Sequence, residues 1–80
     1  MTTPTRLASA FTRALELPQS TDVTTLKYRD IMQWDSIGHM ALVAEIENEY
    51  DVMFSTDQVL ALSSFDKAIE LLREQGIDEL

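Results

Sequence analysis

Leu42, Val43, Ile46 and Tyr50 fall at i, i+1, i+4 and i+8, and this spacing constrains the chain more than any other feature. On an α-helix the four residues form one stripe, whereas a strand would divide them between its two faces. Asp35 stands where its carboxylate can accept from the free amides of a first helical turn. A helix over 36–50 is therefore expected, with the stripe facing a core. A chain of 80 residues builds one core only, so other segments of the same chain must cover that stripe.

Three further segments read as helices. Thr3-Pro4 is an N-cap followed by proline at the first helical position, and Leu7, Phe11, Ala14 and Leu15 then recur at helical spacing until Pro18, giving a helix over 4–16. Ser55-x-x-Gln58 is a capping-box pattern that opens a short helix over 55–62. Ser63-x-x-Asp66 repeats the device ahead of a helix over 65–75, whose Phe65, Ala68, Ile69 and Leu72 share a face and whose stop is expected at Gly76. Asp51-Val52-Met53-Phe54 reads as a short extended link, and Ile77–Leu80 are expected to fray. With no strand alternation and no internal repeat, residues 1–80 are expected to form a single all-α domain, a four-helix bundle of three main helices and one short one.

Between the first two helices the pattern breaks. Pro18, Gln19, Ser20, Thr21 and Asp22 are turn formers, and Val23, Leu26, Tyr28, Ile31 and Met32 fit neither period. A connection of about 18 residues is longer than a compact domain usually leaves unstructured. Val23, Leu26 and Ile31 are the expected pins, with room for one short helical turn, and Trp34 reads as a half-buried anchor.

Charge narrows the function classes. The net charge is -8, and the imbalance is local: residues 1–30 carry four bases against three acids, and residues 31–80 carry two against eleven. Phosphate backbones and anionic lipid would be repelled, so neither nucleic acid nor membrane insertion is expected. The field serves solubility or steers the protein toward basic partners. There is no cysteine, which excludes disulfides, thiolate catalysis and Cys-based zinc sites. No secretory signal or membrane span is read in the chain, so a cytoplasmic monomer is expected.

Few constellations carry chemistry. Ser36 and His39 are three residues apart on the second helix and could share a side, but a hydrolase also needs an oriented base, an oxyanion hole and a dry pocket. His39 is expected to pack, wholly or in part. Glu45, Glu47 and Glu49 alternate, point in different directions on a helix, and read as a solvated face rather than a metal site. Ile37, Met40, Ala41 and Ala44 widen the apolar surface of the second helix beyond its core stripe, either under neighbouring elements or as a docking patch. Trp34-Asp35-Ser36-Ile37 places a serine on the first turn of a helix after a long loop. Free amides and the positive dipole end suit such a serine to carry a phosphate.

The run from Trp34-Asp35-Ser36-Ile37-Gly38-His39-Met40 through Glu45-Ile46-Glu47-Asn48-Glu49-Tyr50-Asp51-Val52 resembles the attachment segment and following helix of acyl carrier proteins. The likeness extends over the first helix, the long loop, the short third helix and the Ser63-Ser64-Phe65 opening of the fourth. It implies an acyl-carrier-type bundle in which Ser36 carries 4'-phosphopantetheine, transferred from coenzyme A by a phosphopantetheinyl transferase. Cargo would ride as a thioester on the arm's thiol, and the protein would not itself be an enzyme. The resemblance further implies that Asp35 presents Ser36, that Ile37, Met40 and Ala44 are apolar contacts for the transferase and client enzymes, and that Glu47 and Asn48 meet basic patches on acyl-loading and client enzymes.

This sequence departs from the fatty-acid pattern. Gln33-Trp34 replaces small residues before Asp35-Ser36, and Gly38 and Ala41 replace acids along the docking side. Lost rim charge alters association rate and partner choice, which favours a dedicated metabolite or polysaccharide pathway over general fatty-acid synthesis. Gly38 also lowers helix propensity by about 0.8–1.0 kcal/mol against alanine, which would loosen the first turn. An aminoacyl, peptidyl or D-alanyl carrier is the alternative within the same fold. A non-modified helical adaptor that binds through Ile37, Met40 and Ala44 is the alternative outside the carrier class.

Overall fold

The computed structural model describes residues 4–78 and residue 80. Its helices are α1 (Thr5–Ala14), α2 (Ser36–Tyr50), α3 (Thr56–Ala61) and α4 (Phe65–Glu74). No strand occurs among the described residues, where an isolated antiparallel bridge joins Lys27 to Ser64. The chain is all-α. None of these helices is long and apolar enough to cross a membrane.

The stripe on α2 faces inward as its spacing dictates: Leu42, Val43, Ile46 and Tyr50 are buried. They meet Leu7, Ala10, Phe11 and Leu15 from α1 and its end, and Phe65, Ala68, Leu71 and Leu72 from α4. Ile69, expected on the buried face, is only partly covered, because the α4 stripe runs through Leu71 instead. Phe11 sits at the aromatic centre of the core. Its ring lies 5.5 Å from that of Trp34, edge-on, and 5.1 Å from that of Phe65, arrangements that add to simple area burial.

α1 is shorter than the spacing predicts, ending at Ala14 rather than Glu16. Glu16, two residues ahead of Pro18, takes a left-handed conformation with φ 53°, and Leu17 N–H returns to the Thr12 carbonyl at 3.0 Å, closing the helix. Pro4 occupies the cap position without a side-chain bond, and Thr3, the expected cap, lies outside the described residues. Gly76 stops α4 as expected, with φ 87°. Gly76 N–H bonds Arg73 at 3.0 Å and Ile77 N–H bonds Leu72 at 3.0 Å, the paired pattern of a left-handed helix stop.

Other expectations need correction. Ser64, not Ser63, caps α4, accepting from Lys67 N–H at 3.0 Å. The Ser63 carbonyl is taken by Tyr28 N–H at 2.8 Å, which draws that residue into the loop contact. Asp51 is not extended but left-handed, closing α2. Ile77 and Leu80 pack against the core, and the Tyr50 hydroxyl donates to the Leu80 carbonyl at 2.8 Å, so the C-terminal segment is tied down at these points. The capping box of Ser55 and Gln58 is present as expected.

Glu45 and Glu49 are not a solvated face. Arg13 Nε donates to Glu45 at 2.7 Å, Arg6 Nε to Glu49 at 3.0 Å, and Arg13 Nη2 lies 3.6 Å from Glu49. The basic surplus of the first thirty residues is thus partly taken up by the acids of α2. Each exposed pair contributes at most about 1 kcal/mol, but together they fix α1 along α2. The Arg6 guanidinium also lies 4.5 Å from the centre of the Tyr50 ring.

The long loop contains no helix. Val23 is buried and Leu26 and Ile31 are half-buried, as expected of pins, while Trp34 is fully buried and becomes the principal one. Leu42→Ala should cost about 2–5 kcal/mol, read as a fall in the urea midpoint. An unchanged midpoint would mean that α2 is turned differently about its axis.

Candidate functional site

The site is built on the junction of loop and α2. Asp35 is extended, and its Oδ1 accepts from Gly38 N–H at 2.8 Å while its carbonyl accepts from His39 N–H, also at 2.8 Å. These bonds satisfy the amides of residues 38 and 39, while those of Ser36 and Ile37 have no earlier turn to bond to. Ser36 is the first helical residue and is exposed. Its Oγ lies 3.5 Å from the Tyr28 hydroxyl, at the outer limit of a hydrogen bond.

Beneath the serine, aromatic rings hold the junction in place. Trp34 Nε1–H donates to His39 Nδ1 at 3.0 Å, and the two rings lie side by side with 15° between their planes. Because an indole nitrogen can only donate, Nδ1 must accept, so Nε2 carries the hydrogen and donates to the Val59 carbonyl at 2.8 Å. Tyr28 packs edge-on against both, with its ring 6.3 Å from Trp34 and 5.2 Å from His39. His39 packs as its position implied, and the Ser36–His39 pair is not formed: both ring nitrogens are bonded elsewhere.

Gly38 has a steric role that helix propensity does not reveal. A Cβ at this position would overlap the Gln33 carbonyl oxygen. The missing side chain therefore lets the loop lie against the first turn of α2, so the position is a close approach rather than a loose joint.

The predicted contact residues divide. Ile37 is 81% exposed and Met40 58% exposed, and Ala41, Ala44 and Asn48 are at least partly open beside them, so the widened apolar surface of α2 is accessible. A hollow lined by Leu15, Gln33, Asp35, Ile37, Gly38 and Ala41 lies between the end of α1 and the start of α2, and Ser36 is not part of its lining. Glu47 points elsewhere. Its Oε2 accepts from Phe54 N–H at 2.8 Å and holds the link between α2 and α3. Leu60, 77% exposed on α3, was not among the expected contacts.

Tyr28 and Arg29 were also missed. Tyr28 fits no period, and only its proximity to Ser36 marks it. The hydrogen bond with Ser36 pulls the Tyr28 phenol below its usual range, and Arg29 adds to the effect. Burial pushes the Tyr50 phenol the other way. Comparison of the chain with protein-family models, with curated proteins and with solved structures finds no match.

The chain's two tyrosines should ionise in separate steps on either side of the ordinary value of 10.0. Phenolate absorbance should lose the earlier step in Tyr28→Phe and the later one in Tyr50→Phe. Stability should rise with pH from the folded Tyr28 value up to 10.0, where the unfolded phenol still holds its proton. Above 10.0 it should fall, as unfolding releases the Tyr50 proton first. Gly38→Ala should lower the Tm and alter Trp34 fluorescence, because the obstacle is backbone beside a buried indole. A raised Tm would show that the propensity gain prevails.

Proposed function

We propose that the protein is a carrier whose Ser36 accepts 4'-phosphopantetheine, and that it conveys acyl groups between enzymes of a dedicated pathway. The observation that carries this reading is the exposed Ser36 hydroxyl on the first turn of α2, fixed by the Asp35 cap and flanked by the open apolar residues Ile37 and Met40. The residues fit the group. A serine oxygen at a helix start can bear a phosphodiester under the favourable dipole end, and solvent lies beside it for a long arm.

The transfer balances as a displacement at phosphorus. Ser36 Oγ attacks the phosphorus on the pantetheine side of the coenzyme A pyrophosphate, and the bridging P–O bond breaks. Adenosine bisphosphate leaves with that electron pair, and the serine proton passes to a base of the transferase. When attached, the group supplies the thiol that a chain without cysteine lacks. This chain's residues do the presenting: Asp35 holds the first turn, Gly38 keeps the loop against it, and Ile37, Met40 and Ala44 offer apolar area to a transferase or client enzyme. Asn48 extends that side. Glu47, engaged with Phe54, reaches a basic patch only through its remaining oxygen.

Intact mass measured before and after incubation with a promiscuous phosphopantetheinyl transferase, coenzyme A and Mg²⁺ tests the reading. The expected result is one phosphopantetheine added to the wild type and none to Ser36→Ala. A folded wild type that gains no mass with either this transferase or the host's own would overturn it. The adaptor that docks through Ile37 and Met40 would then stand.

A further inference from the structure

Tyr28 and Arg29 form the one side-chain cluster at the serine that the carrier reading does not use. Arg29 has φ 69°, a left-handed conformation that a long side chain adopts at a cost and that glycine or asparagine would adopt more readily. The turn is held closed nonetheless. Arg29 N–H bonds the Trp34 carbonyl at 3.1 Å, Asp30 N–H bonds the Lys27 carbonyl at 2.9 Å, and Lys27 N–H bonds the Asp30 carboxylate at 2.9 Å.

This turn sets the Arg29 guanidinium 5.4 Å from the centre of the Tyr28 ring, and Tyr28 in turn reaches Ser36. Arg6 and Arg13 are paired with Glu45 and Glu49, and Lys67 lies 3.6 Å from Glu70. Among the described residues no carboxylate pairs with Arg29. The charge beside the serine matters because Asp35, fixed as the cap, is an anion on the preceding residue and repels any anion carried by Ser36. A guanidinium and a phenol are the donors suited to answer it.

We propose that Tyr28 and Arg29 are positioning residues for the phosphodiester on Ser36, Tyr28 by donating its hydroxyl hydrogen to a phosphate oxygen and Arg29 by its charge. The proposal rests on the carrier reading of Ser36. It gives the arm a fixed root on the loop side of α2, over the Tyr28–His39 contact, while the rest of the arm stays free. Tyr28 loses its Ser36 partner on attachment and gains a stronger, charged acceptor.

The test uses the loaded protein, verified by intact mass and with its thiol alkylated, and follows the phosphorus NMR resonance as pH rises from neutrality through phenol ionisation. A phosphodiester keeps one negative charge throughout, so any movement of its resonance reports a neighbour. The expected result is a shift that follows Tyr28 ionisation, at higher pH than in the unloaded protein because the phosphate opposes a second anion. The shift should be lost in Tyr28→Phe. Arg29→Gln should raise the midpoint further and sharpen the resonance as the root is released, and Arg29→Lys should restore part of the wild-type behaviour. Circular dichroism confirms that each variant is folded. A loaded wild type whose resonance is flat, or moves equally in Tyr28→Phe, would overturn the proposal and leave the carrier reading intact. Failure to gain mass would overturn both.

Discussion

A fully buried indole N–H must find an acceptor, because leaving it unpaired costs about 1–3 kcal/mol. Here the acceptor is His39 Nδ1. That bond decides the histidine's tautomer, and the tautomer decides that Nε2 donates to the Val59 carbonyl. One constraint therefore links the loop, α2 and the C-terminal part of α3. It also fixes the residue just before Asp35, so the first turn of α2 and the exposed Ser36 hydroxyl are mounted on a fully buried anchor. Small catalytic or attachment groups gain precision from this kind of support.

The charge pattern acts in the same direction. A chain with a net charge of -8 works against its own compactness, since like charges repel. Arg6 and Arg13 relieve this where it would matter most, along the acidic flank of α2. The consequence for the open side of that helix is that it is apolar rather than acidic. Ile37, Met40, Ala41 and Ala44 lie on it, while Glu45 and Glu49 look toward α1 and Glu47 toward Phe54. The surface beside Ser36 along α2 is therefore hydrophobic, with Ile37 and Met40 its most prominent side chains.

What the sequence discloses and what it withholds divide by range. The α2 stripe, the Asp35 cap, the Ser55–Gln58 box and the Gly76 stop are all set by residues close together along the chain, where spacing rules are strongest. That Ser36 opens α2 on its first turn was legible for the same reason. The loop was not, because Trp34, Tyr28 and His39 meet through contacts that no period encodes. Ser63 and Ser64 are equally good caps by type, and the choice is made by the loop taking the Ser63 carbonyl. The ion pairs had an overlooked signal: Glu45 and Glu49 are one turn apart on α2, and Arg6 and Arg13 are two turns apart on α1, a spacing that lets two helices pair side by side. Gly38 was read as a propensity defect because its obstacle, the Gln33 carbonyl, belongs to the loop folded back on the helix.

α3 is packed more lightly than the other helices. It has six residues, none of them buried, and its region is tethered by the His39–Val59 bond, the Glu47–Phe54 bond and the Gln75 amide, which donates to Met53 and Gln58. Its apolar contribution to the core is limited to the partly buried Val59 and Ala61, so less area is exposed if it detaches than for the other helices. Its amides therefore belong to the least protected class in hydrogen exchange, opening without waiting for the bundle to unfold. Leu62, the residue that follows α3, is buried in the core shared with α1, α2 and α4, so the segment that opens easily ends before that residue.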